Sequence, residues 1–459
     1  MGPHGTYDLL VILAAIAGLA FAALRANQGK RGSDASEYFL ARRGVGWLSL
    51  GVSLFVTSLW AFWSLTQTKP VAEGIWGWLV PGVVVVIGLV ALGLGFVPRY
   101  KASEATTISS FLSERFGRPV GLAVALVSIG LTLFVQIPFT ILVGTQMVSA
   151  LMAWDPMSSG LLMVVIPGLF VVAGGYPSAI AAQTAGGVVA GVGLLFLAAN
   201  GFPGDGALPK ALPEAIASWP SVIACMAIMG SWSMCIEQQV AQRIFAARTP
   251  AQGRMGALLA AALVLVGVAL LTMASGHSSL SPALAGSSGA AGGFVVAAII
   301  ALVMASLSAH FMSVSTLITM DIVRPVMQAA GEAKFVLSGR LTNTVVVILA
   351  ILTASSLPLT GAVVLEWMVP AAVAIVPPVV AVVLLGLFVP RMHGRGAFWA
   401  LVAGWVVGVA DAATGALAME GALVTFTMSA VVFVSVSLAV APLGTLRKVP
   451  GTVLQVRKP

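Results

Sequence analysis

The chain has 459 residues, of which 59% are hydrophobic and only 8% charged, and its mean hydropathy is +1.04. A soluble domain carries roughly 25% charged residues, so a water-soluble globule is excluded. The formal net charge of +8 would suit a nucleic-acid partner, but the distribution of the basic residues, taken up below, excludes that reading too.

The N-terminus MGPHGTYDLL carries no basic run ahead of its apolar stretch, and the stretch ends at Leu24-Arg25 rather than at a small-residue cleavage site. It reads as a first helix, not as a signal peptide. Further apolar segments follow at approximately 46–68, 74–98, 119–153, 159–175, 178–199, 218–244, 254–277, 291–320, 338–358, 361–390, 396–413 and 423–444. With the first at 8–25, about 13 transmembrane helices are predicted. They lack the alternation of barrel strands, so the fold class is an all-α membrane protein in a lipid bilayer. With the N-terminus outside, every Lys and Arg except Lys69 and Lys210 falls in a loop facing the cytoplasm. That asymmetry places the N-terminus out and the C-terminus in. The basicity is topological, and no nucleic acid is implied.

The longest polar connections, 26–45, 99–118, 200–217 and 321–337, are too short for a soluble domain, so residues 1–459 read as a single transmembrane domain. SLWAFWS (58–64) in the second helix and GSWSM (230–234) in the seventh both set Ser and Trp at mid-membrane. Each opens a block of five helices, and blocks of odd number reverse their topology. This suggests an inverted repeat with a first unit at 46–199 and a second at 218–390, flanked by the extra helix 8–25 and C-terminal helices over 396–444. Gly230 suggests an interruption in the second unit; in the first, only hydroxyl residues such as Ser53, Thr57 and Ser58 suggest loosened backbone. Cys225 and Cys235, ten residues apart on one predicted helix, imply neither a disulfide nor a metal site.

Several stretches resemble the sodium/solute symporter family. They are SEYFLARRGVGWLSLGVSLF (36–55), TISSFLSERFG (107–117), AGGYPSAI (173–180), EQQVAQRIFAARTPAQGRMG (237–256) and STLITMDIVRP (315–325). The resemblance covers residues 36–330 and implies a leucine-transporter-like fold of five-plus-five inverted repeats. It implies a secondary active transporter that works by alternating access, usually with sodium coupling, in the plasma membrane, which is the inner membrane in a bacterium.

By the family's pattern, the sodium ion sits between the second and ninth helices on the carbonyls of Val56, Leu59 and Leu302 and the hydroxyl of Ser306. Ala305 stands where a second hydroxyl is expected, so the site is one oxygen short and sodium binding is expected to be weak. The alternative for Ser306 is a hydroxyl that bonds back to its own helix. Gln183 replaces an acidic residue common in the family. His310 shares one helix face with Ser306 and Ser313 and is a candidate proton carrier; alternatively it is a neutral packing residue. Proton-coupled or ion-independent transport, and a transporter-like solute sensor, are the competing functions.

Trp60, Phe62, Trp63, Gln136, Trp232 and Ser233 are the candidate substrate-binding residues. Three aromatics within four positions cannot all point one way, so at least one is expected to face lipid or packing neighbours. Such a lining leaves a polyol's hydroxyls unmet, which favours a small amphipathic or weakly polar organic solute, a quaternary amine among them. Glu237, Gln238, Gln242 and Arg243 are assigned to a cytoplasmic gate. Lys69 and Glu73 form either a vestibule ion pair or a solvated helix end, and Asp321 and Arg324 a helix-terminus pair. No P-loop, GxSxG, HExxH or CxxC motif occurs, so an enzyme is not expected.

Overall fold

The computed structural model describes residues 6–27, 34–66, 76–199, 219–275, 290–415 and 420–440, and these are almost wholly helical. Lys69 and Glu73 lie outside the described residues. Ten helices among them are long and apolar enough to cross a membrane, and Trp47–Trp63 is a shorter apolar helix.

The first helix, α1 (Thr6–Asn27), is followed by α2 (Ala35–Leu40), whose N-terminus is capped by the Asp34 side chain. Next come α3 (Trp47–Thr66) and α4 (Trp76–Ala91), the latter continuing through a π turn at Leu92–Phe96 into α5 (Val97–Lys101). A short amphipathic helix, α6 (Ile108–Phe116), precedes α7 (Arg118–Leu131), which a π turn at Thr132–Gln136 joins to α8 (Ile137–Met152). α9 (Pro156–Ala199) is two helices meeting at Gly175, whose φ of 61° and ψ of −148° no helix accommodates. Glycine is needed there because a Cβ would lie 2.6 Å from the carbonyl oxygen of Tyr38.

α10 (Trp219–Ser231) passes through a π turn at Trp232–Ile236, then through Glu237, into α11 (Gln238–Ala246). α12 (Pro250–Ser275) and α13 (Ala290–Leu317) follow; the latter passes through a π turn at Ile318–Val323 to α14 (Arg324–Val326). α15 (Glu332–Phe388) is long enough to hold two candidate spans, Glu332–Ser356 and Pro370–Phe388. α16 (Gly394–Thr414) and α17 (Glu420–Val440) close the described chain.

Two stretches correspond in length. Arg118–Met152 and Gly292–Val326 are each 35 residues long, and each is the third helical passage counted from α3 or from α10. The Gly292–Val326 stretch is the centre of the molecule, with 94% of its most apolar window buried, against 17% for α1.

Lipid is as apolar as leucine, so burial of leucine surface does not drive these helices together; close backbone approach and polar contacts must do so. α13 packs along α9, and α3 packs against α9, α12 and α13. Gly187 lets α9 meet Val52 of α3, and Gly193 lets it meet Phe294 and Ala298 of α13. A side chain at either glycine would occupy space those residues already fill.

The entry to α3 and the exit from α11 are tied directly. Val45 and Ala247 form a parallel bridge, with the Val45 amide donating to the Ala246 carbonyl at 3.1 Å and the Arg248 amide to the Val45 carbonyl at 2.9 Å. α3 thus starts where α11 ends.

Candidate functional site

α3 is an α-helix from Trp47 through Thr66, so the expected loosening in the first unit does not occur. Its hydroxyls support the helix instead: Ser53 Oγ donates to the Leu50 carbonyl at 2.9 Å, and Thr57 Oγ1 to the Ser53 carbonyl at 3.2 Å. The carbonyls of Val56 and Leu59 therefore belong to a regular helix, and each carbonyl oxygen still has a second lone pair. Both residues are fully buried.

In the second unit the interruption lies seven residues beyond Gly230. Gly230 stays helical, and its bare Cα accommodates Val84 of α4. The break is at Glu237, whose φ of −51° and ψ of 138° end the helix after the π turn. The signal for it in the sequence is the buried polar run EQQVAQR itself.

On α13 the polar residues divide into two kinds. Ser308, Ser313 and Thr316 hydroxyls donate to the carbonyls of Ala305, Ala309 and Met312 at 2.8, 2.8 and 2.6 Å. Ser306 does not bond back: its Oγ is buried and has no hydrogen-bond partner among the described residues. A buried hydroxyl left so is costly, and here it lies on the helix that packs against α3. Leu302, one turn earlier, is buried, as is Ala305, whose carbonyl is taken by Ser308.

Trp60, Phe62 and Trp63 are all buried, so none of the three faces lipid: this part of α3 is enclosed. The Trp60 indole Nε1 donates to Thr140 Oγ1 at 3.4 Å, one turn beyond Gln136. Gln136 is half-buried, its Oε1 accepting from Thr132 Oγ1 at 2.9 Å. Trp232 is buried and Ser233 half-buried, with Ser233 Oγ donating to the Met229 carbonyl at 2.8 Å. The π turn carrying them packs against α4 and α15. A separate cavity of about 250 Å³ lies away from the aromatics, lined by Asp34, Phe39, Arg43, Thr106, Met320 and Arg324.

Past the break, the predicted gate residues are buried and make polar links to the surrounding segments. Gln238 Oε1 accepts from the Ile108 amide at 2.9 Å, holding the first residue of α6. Gln242 Nε2 donates to the Phe39 carbonyl at 2.8 Å and to Thr316 Oγ1 at 2.9 Å. Arg243 Nη2 donates to Gln183 Oε1 at 2.9 Å, and Gln183 Nε2 donates to Ser308 Oγ at 3.0 Å. Arg243 Nη1 donates to the Gln239 carbonyl at 2.7 Å.

The Glu237 carboxylate accepts from Gln239 Nε2 at 2.6 Å and has Gln136 as a further hydrogen-bonding neighbour. Its Oε1 lies 3.7 Å from His310 Nδ1. Arg243 interacts electrostatically with Glu237, His310 and Tyr176. Gln183 thus serves as a neutral bridge between a buried guanidinium and α13. Asp321 and Arg324 do not pair with each other: Asp321 Oδ1 accepts from Thr107 Oγ1 at 2.9 Å, and Arg324 pairs with Glu332 at 3.4 Å.

Interrupted helices with polar groups buried beside them are where membrane transporters place their binding sites. Comparison with known proteins agrees: the profile described as "Sodium:solute symporter family" matches residues 38–287 and 279–404. The chain belongs to the sodium:solute symporter family. It is a sodium-coupled secondary transporter of a small organic solute, a multi-pass membrane protein and not an enzyme.

Among its family relatives, the chain is 27% identical to a sodium/mannose cotransporter of Bos taurus, over 81% of this chain and 73% of that one. It is 25% identical to sodium/glucose cotransporter 4 of Mus musculus, over 89% and 69% respectively. A solved structure of a Na+-coupled sialic acid symporter superposes with a TM-score of 0.78, at 17% identity, covering 95% of this chain and 99% of that one. The fold is shared with that symporter.

Proposed function

We propose that the chain carries sodium and a small, weakly polar organic solute together across the plasma membrane. The ion is held between α3 and α13 by the second lone pairs of the Val56, Leu59 and Leu302 carbonyls and by Ser306 Oγ. The observation that carries this reading is the buried Ser306 hydroxyl, which, unlike those of Ser308, Ser313 and Thr316, has no hydrogen-bond partner among the described residues. Sodium needs several oxygens to replace its hydration shell. With Ala305 contributing no hydroxyl, its affinity is low.

The solute site is formed by Trp60, Phe62, Trp63, Gln136, Trp232 and Ser233. Ring faces predominate, and the hydroxyl of Ser233 and the Oε1 of Gln136 are already engaged. A hexose, the cargo named for the relatives, would leave several hydroxyls unmet there, so a less hydroxylated solute fits better. Residues 46–199 and 218–390 form two inverted units, a reading supported by their paired 35-residue passages. The N-terminus is outside, and Glu237, Gln238, Gln242 and Arg243 close the cytoplasmic side.

Proteoliposome uptake of a panel containing glucose, mannose, a quaternary amine and an aromatic amine, with and without an inward sodium gradient, tests this reading. Gradient-driven accumulation of a less hydroxylated member, lost in Ser306→Ala, is expected. Equal uptake without sodium, or accumulation of hexose alone, overturns it.

A further inference from the structure

Three side-chain links run from the interrupted span to α13, and they differ in what they require. The link from Gln242 to Thr316, and that from Arg243 through Gln183 to Ser308, each pair a fixed donor with a fixed acceptor. The third joins Glu237, at the break, to His310 in the middle of α13, with 3.7 Å between Oε1 and Nδ1. His310 Nδ1 is buried and has no hydrogen-bond partner among the described residues.

The attraction across that third link depends on a proton. An ionised carboxylate facing an unprotonated Nδ1 opposes one lone pair to another. One proton between them makes either an imidazolium facing a carboxylate or a carboxyl group donating to the imidazole, and both are attractive. A second proton would leave an imidazolium beside a neutral acid, with the Arg243 guanidinium close by to oppose the added charge. The singly protonated pair is therefore the state that holds.

The surroundings single out this pair. From its own element Glu237 meets Gln239 and Arg243; the π turn between α7 and α8 brings Gln136. α9 brings Tyr176, coupled to Arg243, and the neutral Gln183. α15 places Arg340 over the ring of Tyr38. α3 and α8 carry no titratable side chain.

We propose that Glu237 and His310 bind one proton between them, and that this proton latches the interrupted span to α13 on the gate side. The latch rests on the alternating-access reading, but the proton is not the coupling ion: it sets how readily the gate opens. Acid holds the gate shut; alkali releases it. The proton belongs to the pair and exchanges with solvent as the pair titrates, so such a latch answers to pH where other polar links of the gate do not.

The test uses the full chain with Cys225→Ala and Cys235→Ser, spin-labelled through Ala251→Cys and Met327→Cys, two exposed positions near the ends of the helices concerned. Double electron–electron resonance reports the separation of the labels from pH 5 to pH 9, with and without sodium. A population of longer distances growing several-fold between acid and alkali is expected in the parent, and a flat response in His310→Gln and in Glu237→Gln. A parent whose distances do not change with pH, or a His310→Gln variant that keeps the parent's response, overturns the latch, and the first outcome needs no variant to fold. The sodium arm fails separately: distances insensitive to sodium at every pH count against alternating access, whereas the pH response alone decides the latch.

Discussion

α3 and the α10–α11 passage carry similar runs of Ser and Trp within the span, yet one is a continuous helix and the other breaks. α3 has hydroxyls that bond back to its own carbonyls, and its stretch from Ser53 to Trp60 is buried. The α10–α11 passage has a π turn followed by a carboxylate that cannot be buried in a regular helix without partners. It finds them in Gln239, Gln136, Arg243 and His310 only by turning out of the helical path. Serine and threonine on a span can therefore stabilise a helix, whereas a buried charge reshapes it. The rigid span and the interrupted one then meet at the Val45–Ala247 bridge.

The largest expected effect breaks the interrupted half of this comparison. Arg243→Met leaves Glu237 buried without its guanidinium and removes the donor to Gln183, a loss on the order of 3–5 kcal/mol for an uncompensated buried charge. Sodium-driven uptake should fall by more than about 100-fold, by the usual tenfold per 1.4 kcal/mol, and the melting temperature should drop. The double variant Arg243→Met/Glu237→Gln removes both charges and should recover much of the melting temperature. A double variant no more stable than the single one would show that the pair does not hold the break.

The continuous half has its own weak point. In Gly187→Val the new Cβ meets Val52 Cγ1 and lies 3.1 Å from the Val52 carbonyl, so α3 must shift away from α9. Overpacking of this kind costs about 1–3 kcal/mol. Melting should fall, while the pH response of the gate, which lies in the other span, should persist. Equal loss in both readouts would mean that the two spans do not act as separate elements.

Most of the architecture was legible in the chain, because spans are long apolar runs and hydrophobicity is local. The location of the break was not. Gly230 looked the weaker point but serves a close approach to Val84, while Glu237 breaks the span through partners more than 70 residues away in sequence, such as His310. Asp321 and Arg324 show the same limitation. Three positions apart, they read as a pair, but Thr107 and Glu332 reach them first. Spacing could place the Ser306 hydroxyl on one face with His310 and Ser313, but whether it bonds back or stays unpartnered depends on the packed geometry of α13.

The sodium ion proposed to lie between α3 and α13 gives a third, smaller effect. Removing the only side-chain oxygen proposed for it, in Ser306→Ala, should raise the sodium midpoint of thermal stabilisation by about tenfold, equivalent to about 1.4 kcal/mol. Ala305→Ser adds an oxygen and should move it the other way by a similar factor. Midpoints that do not move in either variant would place sodium elsewhere than between α3 and α13.

The smallest effect is expected at the approach to the bridge that joins the spans. Asp34 Oδ1 accepts from the Ser36 amide and hydroxyl at 2.9 and 2.8 Å, and Oδ2 pairs with Arg42 at 3.1 Å, fixing α2 before the chain turns into Val45. Partial burial alone would raise the carboxyl's pKa, but the hydrogen bonds from Ser36 and Glu37 and the Arg42 charge outweigh it and hold the group below the ordinary carboxylate range. A carboxyl lowered in the folded state contributes stability above its unfolded value of about 3.9, and that contribution is lost as pH falls through the lower folded value. Asp34→Ala should therefore cost about 1 kcal/mol at neutral pH, the usual worth of a helix N-cap. The gap in melting temperature between it and the parent should close as the pH approaches 3. A gap that stays constant through that range would mean that the cap acts through shape rather than charge, and that the bridge between rigid and broken spans is anchored without it.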